Sequence, residues 1–293
     1  LTPPAHALAK APIPARDGIS PLRVVLRSVV PSDRTYYAGA SGDSGFAFGS
    51  VLEPGTVLPK PTPAWYHEEV PPEDPIPFQE IPVFQGCGLM VVDKPAFVPS
   101  TPNGRLVRET VQTRQRVATG NDDIVAVHRL DRLTCGLLAL STSAETRGFY
   151  QQQFAHRHAK KRHRAVVSGH LPLGTEWQTF ELPMLKVKGE RQVRVDTRGK
   201  KTVTRARLLQ DHLVELEPLT GHTHQLRVLC SHLGAPIDGD DTYPIDKRLQ
   251  LDNFSDTLKL CATHLELDLW GGVGRGVWTS PRLVESGFWA STE

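Results

Sequence analysis

Four apolar residues, Leu137-Leu138-Ala139-Leu140, follow directly on a charged segment, His128-Arg129-Leu130-Asp131-Arg132-Leu133-Thr134-Cys135-Gly136. No other feature restricts the fold of this chain as much. The run is short and bounded by a turn, so it reads as a buried strand. The Thr-Cys-Gly turn sets Asp131 at the entrance to that strand, between Arg129 and Arg132. Taken alone, the segment also fits a surface loop whose Asp sits in an ordinary ion pair.

A chain of 293 residues can bury a substantial core, and one large domain with a smaller appendage is expected. The formal charge is only +2, but its distribution is uneven. Residues 151–208 carry fourteen Lys and Arg against four acids, a local balance of +10, whereas residues 51–85 carry six acids against Lys60. The middle of the chain is therefore a candidate to face a polyanion. Cys87, Cys135, Cys230 and Cys261 are far apart and form no C-x-x-C pair, which argues against a zinc knuckle or a disulfide scaffold and fits a reducing cytoplasm. No run approaches the roughly 18 apolar residues of a membrane span.

Residues 1–80 are rich in proline, with Pro71-Pro72-Glu73-Asp74-Pro75-Ile76-Pro77 as a linker-like run, a short strand at Arg23–Arg27 and a small β-turn unit over 45–58. Gly88–Pro99 reads as a buried strand ending at a proline-bounded turn. Thr142 and Glu145 are spaced as a capping box and head a helix to about His158, with Tyr150 and Phe154 on its inner face. That helix runs out into a basic stretch, His156 to Arg164, followed by a strand at Ala165–Gly169. Residues 180–219 read as β-rich. Leu226, Leu229 and Leu233 recur at three and four, giving a helix stopped by Gly234. Leu258–Leu267 alternates like a strand.

His-Arg-Leu-Asp-x-x-Thr-x-Gly-Leu-Leu around Asp131 resembles the catalytic signature of the RluA-type pseudouridine synthases. Further segments agree in order. Gly88–Pro99 is similar to the family's hydrophobic strand ending in Asp-Lys-Pro, with Phe97 where relatives often have Gly, and Lys94 either supports the cleft or only caps the strand. Gly199-Lys200-Lys201-x-x-Thr204 resembles the family's Gly-Lys-x-Ala-x-Thr. Thr220-Gly221-His222-Thr223-His224-Gln225-Leu226-Arg227, continuing to Asp238-Gly239-Asp240, is similar to Thr-Gly-Arg-Thr-His-Gln-Ile-Arg and its downstream Pro-Ile-x-Gly-Asp. His222 stands there for the family's Arg. Lys161-Arg162-His163 aligns with a Lys-x-Tyr whose tyrosine stacks on the target base, so His163 replaces that tyrosine. Leu258–Leu267 resembles a closing Leu-x-Leu-His-Ala with Cys261 for His, and Trp278-x-Ser280-Pro281 matches an aromatic-x-Ser-Pro. The resemblance covers residues 80–283.

The resemblance implies an α/β (α+β) catalytic domain over residues 81–293, a mixed, mostly antiparallel sheet flanked by helices with a central cleft. Residues 1–80 are an extension, either without a site of its own or a degenerate small RNA-binding module. The implied reaction converts specific uridines of ribosomal or transfer RNA to pseudouridine, without metal or organic cofactor. Asp131 would be the nucleophile, Arg227 its partner, and His163 the ring stacked on the extruded base. His128, Arg129, Arg132, Thr134, Lys161, Arg162, His222, His224 and Gln225 would bind the substrate. For Arg227 a pairing with Asp238 or Asp240 stays open. The protein is expected to be a cytoplasmic monomer. Two other readings stand beside this one: a catalytically weakened RNA-binding relative, and a metal-dependent hydrolase using His222, His224, His232, Asp238 and Asp240.

Overall fold

The computed structural model describes residues 11–40, 45–255 and 257–283. The first ten residues of the expected N-terminal extension lie outside this set. The chain divides into two compact units, one of residues 1–73 with 113–122, the other of 74–112 with 123–293.

In the first unit, β1 (Leu22–Leu26), β2 (Tyr36–Ala38), β3 (Val51–Leu52) and β4 (Thr62–Tyr66) form an antiparallel sheet in the order β1-β4-β2-β3. Leu26, Val30, Tyr36, Leu52 and Leu58 fill a small core of their own. The first segment of this compact unit ends at Glu73, and the unit takes up a second segment, 113–122, which holds most of helix α1 (Val111–Thr119). The buried Arg116 of that segment donates to the Gly18 carbonyl at 3.0 Å and the Ser20 hydroxyl at 2.8 Å.

The second unit contains β5 (Ile81–Gly86), β6 (Leu89–Lys94), β7 (Val125–Ala126), β8 (Cys135–Ser141), β9 (Lys160–Val166) and β10 (Gln178–Lys186). It continues with β11 (Val193–Val195), β12 (Lys200–Gln210), β13 (Leu213–Pro218), β14 (Leu260–Asp268) and β15 (Arg275–Thr279). Among the described residues they make one sheet in the order β11-β10-β12-β13-β9-β14-β8-β6-β5, with β15 on β14 and β7 on β8. Every described pairing is antiparallel except β8 with β14.

All seven residues of β8 are buried, and the period of two sorts them. Leu138 and Leu140 enter a core with Val92, Val214, Leu216, Leu226 and Leu229, while Leu137 and Ala139 enter another with Leu89, Val91, Tyr150 and Leu265. Each face thus has its own apolar layer. α2 (Ala144–Ala155) supplies Tyr150 to one and α3 (Gln225–His232) supplies Leu226 and Leu229 to the other.

Three sequence expectations shift. The cap of α2 is Ser143, whose hydroxyl accepts the Glu145 N–H at 3.2 Å, while the Thr142 N–H instead reaches the Gly88 carbonyl. α2 ends at Ala155, short of His158. The basic stretch after it becomes strand from Lys160 onward, so its charges alternate between the two faces of the sheet.

Candidate functional site: a cleft across the sheet at Asp131

Asp131 sits in the loop between β7 and β8, its side chain 32% exposed. The loop is held by its backbone. The Thr134 N–H donates to the Asp131 carbonyl, and the Ser100 hydroxyl bonds both the carbonyl and the N–H of Leu130. From beneath, the fully buried Lys94 donates to the carbonyls of Val98 at 2.7 Å, Pro95 at 2.9 Å and Arg132 at 3.0 Å. Burial pushes its amine down to about 7. The three acceptors use all three protons of the ammonium form, so that form ties the loop to β6. Two backbone features complete the frame. Gly136 has φ +104°, and a Cβ there would lie 2.3 Å from the Ala262 carbonyl oxygen, so only glycine lets β8 and β14 come together behind Asp131. Phe97 adopts φ 71°, a left-handed conformation that glycine takes without strain.

Arg227 projects from α3 and is almost wholly buried. It forms a bidentate pair with Asp240, at 2.8 and 2.5 Å, and bonds Asp241 at 2.7 Å. Its remaining Nη1 points to Asp131 at 3.8 Å. Burial works to lower its pKa, but the bonds to Asp240 and the charges of Asp240, Asp131 and Asp241 outweigh that and raise it. Of the pairings left open by the sequence, Asp240 is the tightest, Asp131 is adjacent, and Asp238 instead accepts from Ser168.

His224, the residue capping α3, has φ 56° and places Nε2 3.9 Å from Asp131. Its Nδ1 lies 3.0 Å from the Tyr243 hydroxyl, which accepts the Val193 N–H at 2.7 Å. With that acceptance made, the hydroxyl donates its own proton to Nδ1, leaving the imidazole proton on Nε2, toward Asp131. Burial lowers the pKa of His224 against the pull of Asp131, and the charge of Arg227 adds to the lowering.

Above Asp131 opens a cavity of about 560 Å³. Its lining includes His128, Arg129, Asp131, Thr134, Lys161, His163, His222, His224, Gln225 and Arg227 of the residues singled out from the sequence. His128 stacks on Phe154 with centroids 4.4 Å apart, its Nε2 accepts the Ala139 N–H at 3.1 Å, and burial pushes its pKa down to about 3. Burial likewise holds His163 at about 3, helped by the charge of Lys161, and its Nδ1 is buried without a hydrogen-bond partner. Lys161 lies 5.8 Å from the Phe154 centroid. The wall is thus made of neutral rings with one ammonium beside them. Gln225 lines the cavity, yet its amide is committed to Thr220, His222, Val203 and Thr204, so it shapes the loop.

Two expected substrate contacts fall elsewhere. Arg162 is not among the lining residues, because it alternates with Lys161 and His163 along β9. Arg132 opens into a second cavity of about 550 Å³, which also meets Asp131. Phe154 and Tyr243 join the site without a motif to mark them; the four-residue spacing of Tyr150 and Phe154 shows in the sequence, but not that Phe154 reaches the cleft. The proposed metal-binding side chains do not converge: among the described residues no group of three or more His, Cys, Asp or Glu could hold an ion. Asp240 is bound to Arg227, Asp238 to Ser168 and His224 to Tyr243.

Residues 88–232 match the family described as RNA pseudouridylate synthase. The dual-specificity RNA pseudouridine synthase RluA of Vibrio parahaemolyticus is 33% identical over 67% of this chain and 79% of that protein. Human pseudouridylate synthase RPUSD2 is 37% identical over 53% of this chain, and the ribosomal large subunit pseudouridine synthase C of Vibrio cholerae is 30% identical over 55%. These two alignments cover 29% and 52% of the relatives, so the chain spans about a third to a half of their length. Among solved structures, human RNA pseudouridylate synthase domain containing 1 has the same fold, with TM-score 0.58 and 24% identity over 72% of this chain and 88% of that one. Matching signatures, fold and a relative covered over most of its length lead to one conclusion: the chain belongs to the RluA-type family of RNA pseudouridine synthases.

Proposed function

We propose that this protein isomerises uridine in RNA to pseudouridine, with Asp131 as nucleophile. The observation that carries the proposal is the meeting of Asp131, Arg227 and the Nε2 face of His224 at the floor of a cavity walled by the rings of His128, Phe154 and His163. A uridine must leave its stack to enter such a cavity, at a cost of a few kcal/mol. The cations of the cleft offset that cost through the backbone phosphates.

In the cleft, an Asp131 oxygen bonds to C1′ of the ribose, or to the base ring, as the N1–C1′ bond breaks. Uracil turns, C5 bonds to C1′ as Asp131 leaves, C5 gives its proton up to solvent and N1, freed from C1′, takes one, so product and substrate are isomers. Every bond made or broken belongs to the uridine or to Asp131, so the reaction calls for no metal or organic cofactor. Arg227, clamped by Asp240 and Asp241, aims the carboxylate. His163, neutral by burial, offers a flat face to the base. We assign the substrate to ribosomal or transfer RNA; the ribosomal case is supported by the likeness to the ribosomal large subunit pseudouridine synthase C of Vibrio cholerae.

The test is release of tritium from RNA containing uridine labelled at carbon five. Turnover is expected from the unsubstituted protein. Asp131→Asn should release none while folding and binding RNA nearly as before; comparable release from that variant removes Asp131 from the chemistry. Retained RNA binding without any release by the unsubstituted protein would establish the weakened RNA-binding relative, which the substitution of His163 for the family's tyrosine favours.

A further inference from the structure

The second cavity at Asp131 differs in chemistry from the first. Both share Arg129, Asp131, His224 and Arg227, so they meet at the carboxylate. The first carries the ring faces. The second is lined by Arg132, Lys186, Arg191, Glu190 and Asp241. Its carboxylates are already neutralised: Glu190 pairs with Arg194 at 2.6 Å, and Asp241 with Arg191 at 2.9 Å and Arg227 at 2.7 Å. Its cations are not all so satisfied. Lys186 donates to the carbonyls of Glu190 and Arg191 and pairs with no carboxylate. Arg132 has its Nη1 buried without a hydrogen-bond partner, and its guanidinium lies 5.8 Å from the Phe97 ring. Burial and the nearby Arg105 and Arg191 disfavour its charge, against the pull of Asp241. A guanidinium so placed is costly without an anion.

We infer that this cavity is a phosphodiester subsite, in which Arg132 and Lys186 take a backbone phosphate next to the target nucleotide while its base occupies the first cavity. The inference rests on the RNA reading above and deepens it. A nucleotide with its base among the rings and its ribose at Asp131 directs its phosphates away from the base, and the cavity on the far side of Asp131 offers planar and point-charge donors suited to them.

The experiment uses the full chain and a fluorescent RNA hairpin with one loop uridine, made with natural linkages or with uncharged methylphosphonate linkages on both sides of that uridine. Arg132→Gln should weaken binding of the natural hairpin about tenfold, the effect of one charge-assisted contact. It should also reduce the slope of log affinity against log salt by about 0.9. The uncharged linkages should weaken binding to the unsubstituted protein by more than tenfold and binding to R132Q by a smaller factor, since only Lys186 still meets the phosphate there. In tritium release R132Q should raise KM with kcat retained, and Arg132→Lys should recover part of the affinity. Equal losses from the uncharged linkages in both proteins, an unchanged salt slope, or a loss confined to kcat would overturn the subsite. Absence of tritium release with the linkage effect intact would sink the isomerase reading and leave the subsite standing.

Discussion

His163 stands where the resemblance of Lys161-Arg162-His163 to a Lys-x-Tyr expects a tyrosine. It is buried, faces the cleft and leaves Nδ1 unpaired. An orphaned buried polar atom costs about 1 kcal/mol or more, so His163→Phe is expected to stabilise the protein at pH 7 by about 1 kcal/mol in urea unfolding. The pH dependence follows from the same burial. The folded-state pKa values of His128 and His163, about 3, lie below the ordinary histidine value of 6.5. As pH falls from about 6.5 toward 3, the unfolded chain takes up protons that the folded one does not, so this contribution to stability is present above 6.5 and is lost through that window. Unfolding midpoints at pH 7 and 5 should therefore differ less for His163→Phe than for the unsubstituted protein. A Tyr at 163 restores the family's phenol at the cleft wall, and His163→Tyr is expected to raise the rate of tritium release. A large loss instead would show that the imidazole has a specific duty.

At the scale of elements, the loop bearing Asp131 is positioned by two turns whose backbone needs are opposite in outcome. Gly136 obeys its requirement: Gly136→Ala puts a Cβ into the Ala262 carbonyl at a positive φ, and it is expected to cost more than about 3 kcal/mol and to abolish turnover. Phe97 violates its requirement and is compensated by packing. Its ring stacks on Phe78 at 5.4 Å and meets Phe254 edge-on at 5.3 Å. Removing the ring costs about 3–5 kcal/mol, whereas the left-handed backbone costs a non-glycine residue about 1 kcal/mol. Phe97→Gly should therefore be destabilised, yet more stable than Phe97→Ala by about 1 kcal/mol, as urea midpoints would show. Cys261, another departure from the family, pairs in register with Cys135 across β14 and β8, and its thiol lies 3.7 Å from the Ser280 hydroxyl. Two small buried thiols fill this part of the core behind the Asp131 loop.

For the molecule as a whole, residues 113–122 belong with the N-terminal sheet although they lie far along the chain. A protein begun at residue 74 loses the Gly18 and Ser20 acceptors of the buried Arg116, and it is expected to unfold at lower denaturant by about 2 kcal/mol. The sequence by itself determined the buried strands at β6 and β8, the helix stopped by Gly234 and the entrance position of Asp131. Those properties follow from spacings of two, three and four residues within one segment. It could not reveal that Arg162 alternates away from the cleft, because a run of Lys, Arg and His has no apolar rhythm to mark a strand. Nor could it reveal that Asp240 and Asp241 clamp Arg227, that Tyr243 orients His224, or that Arg132 opens into a second cavity. Those contacts join residues many positions apart, and only the pairing and register of the sheet, with α3 packed on its face, decide which side chains meet.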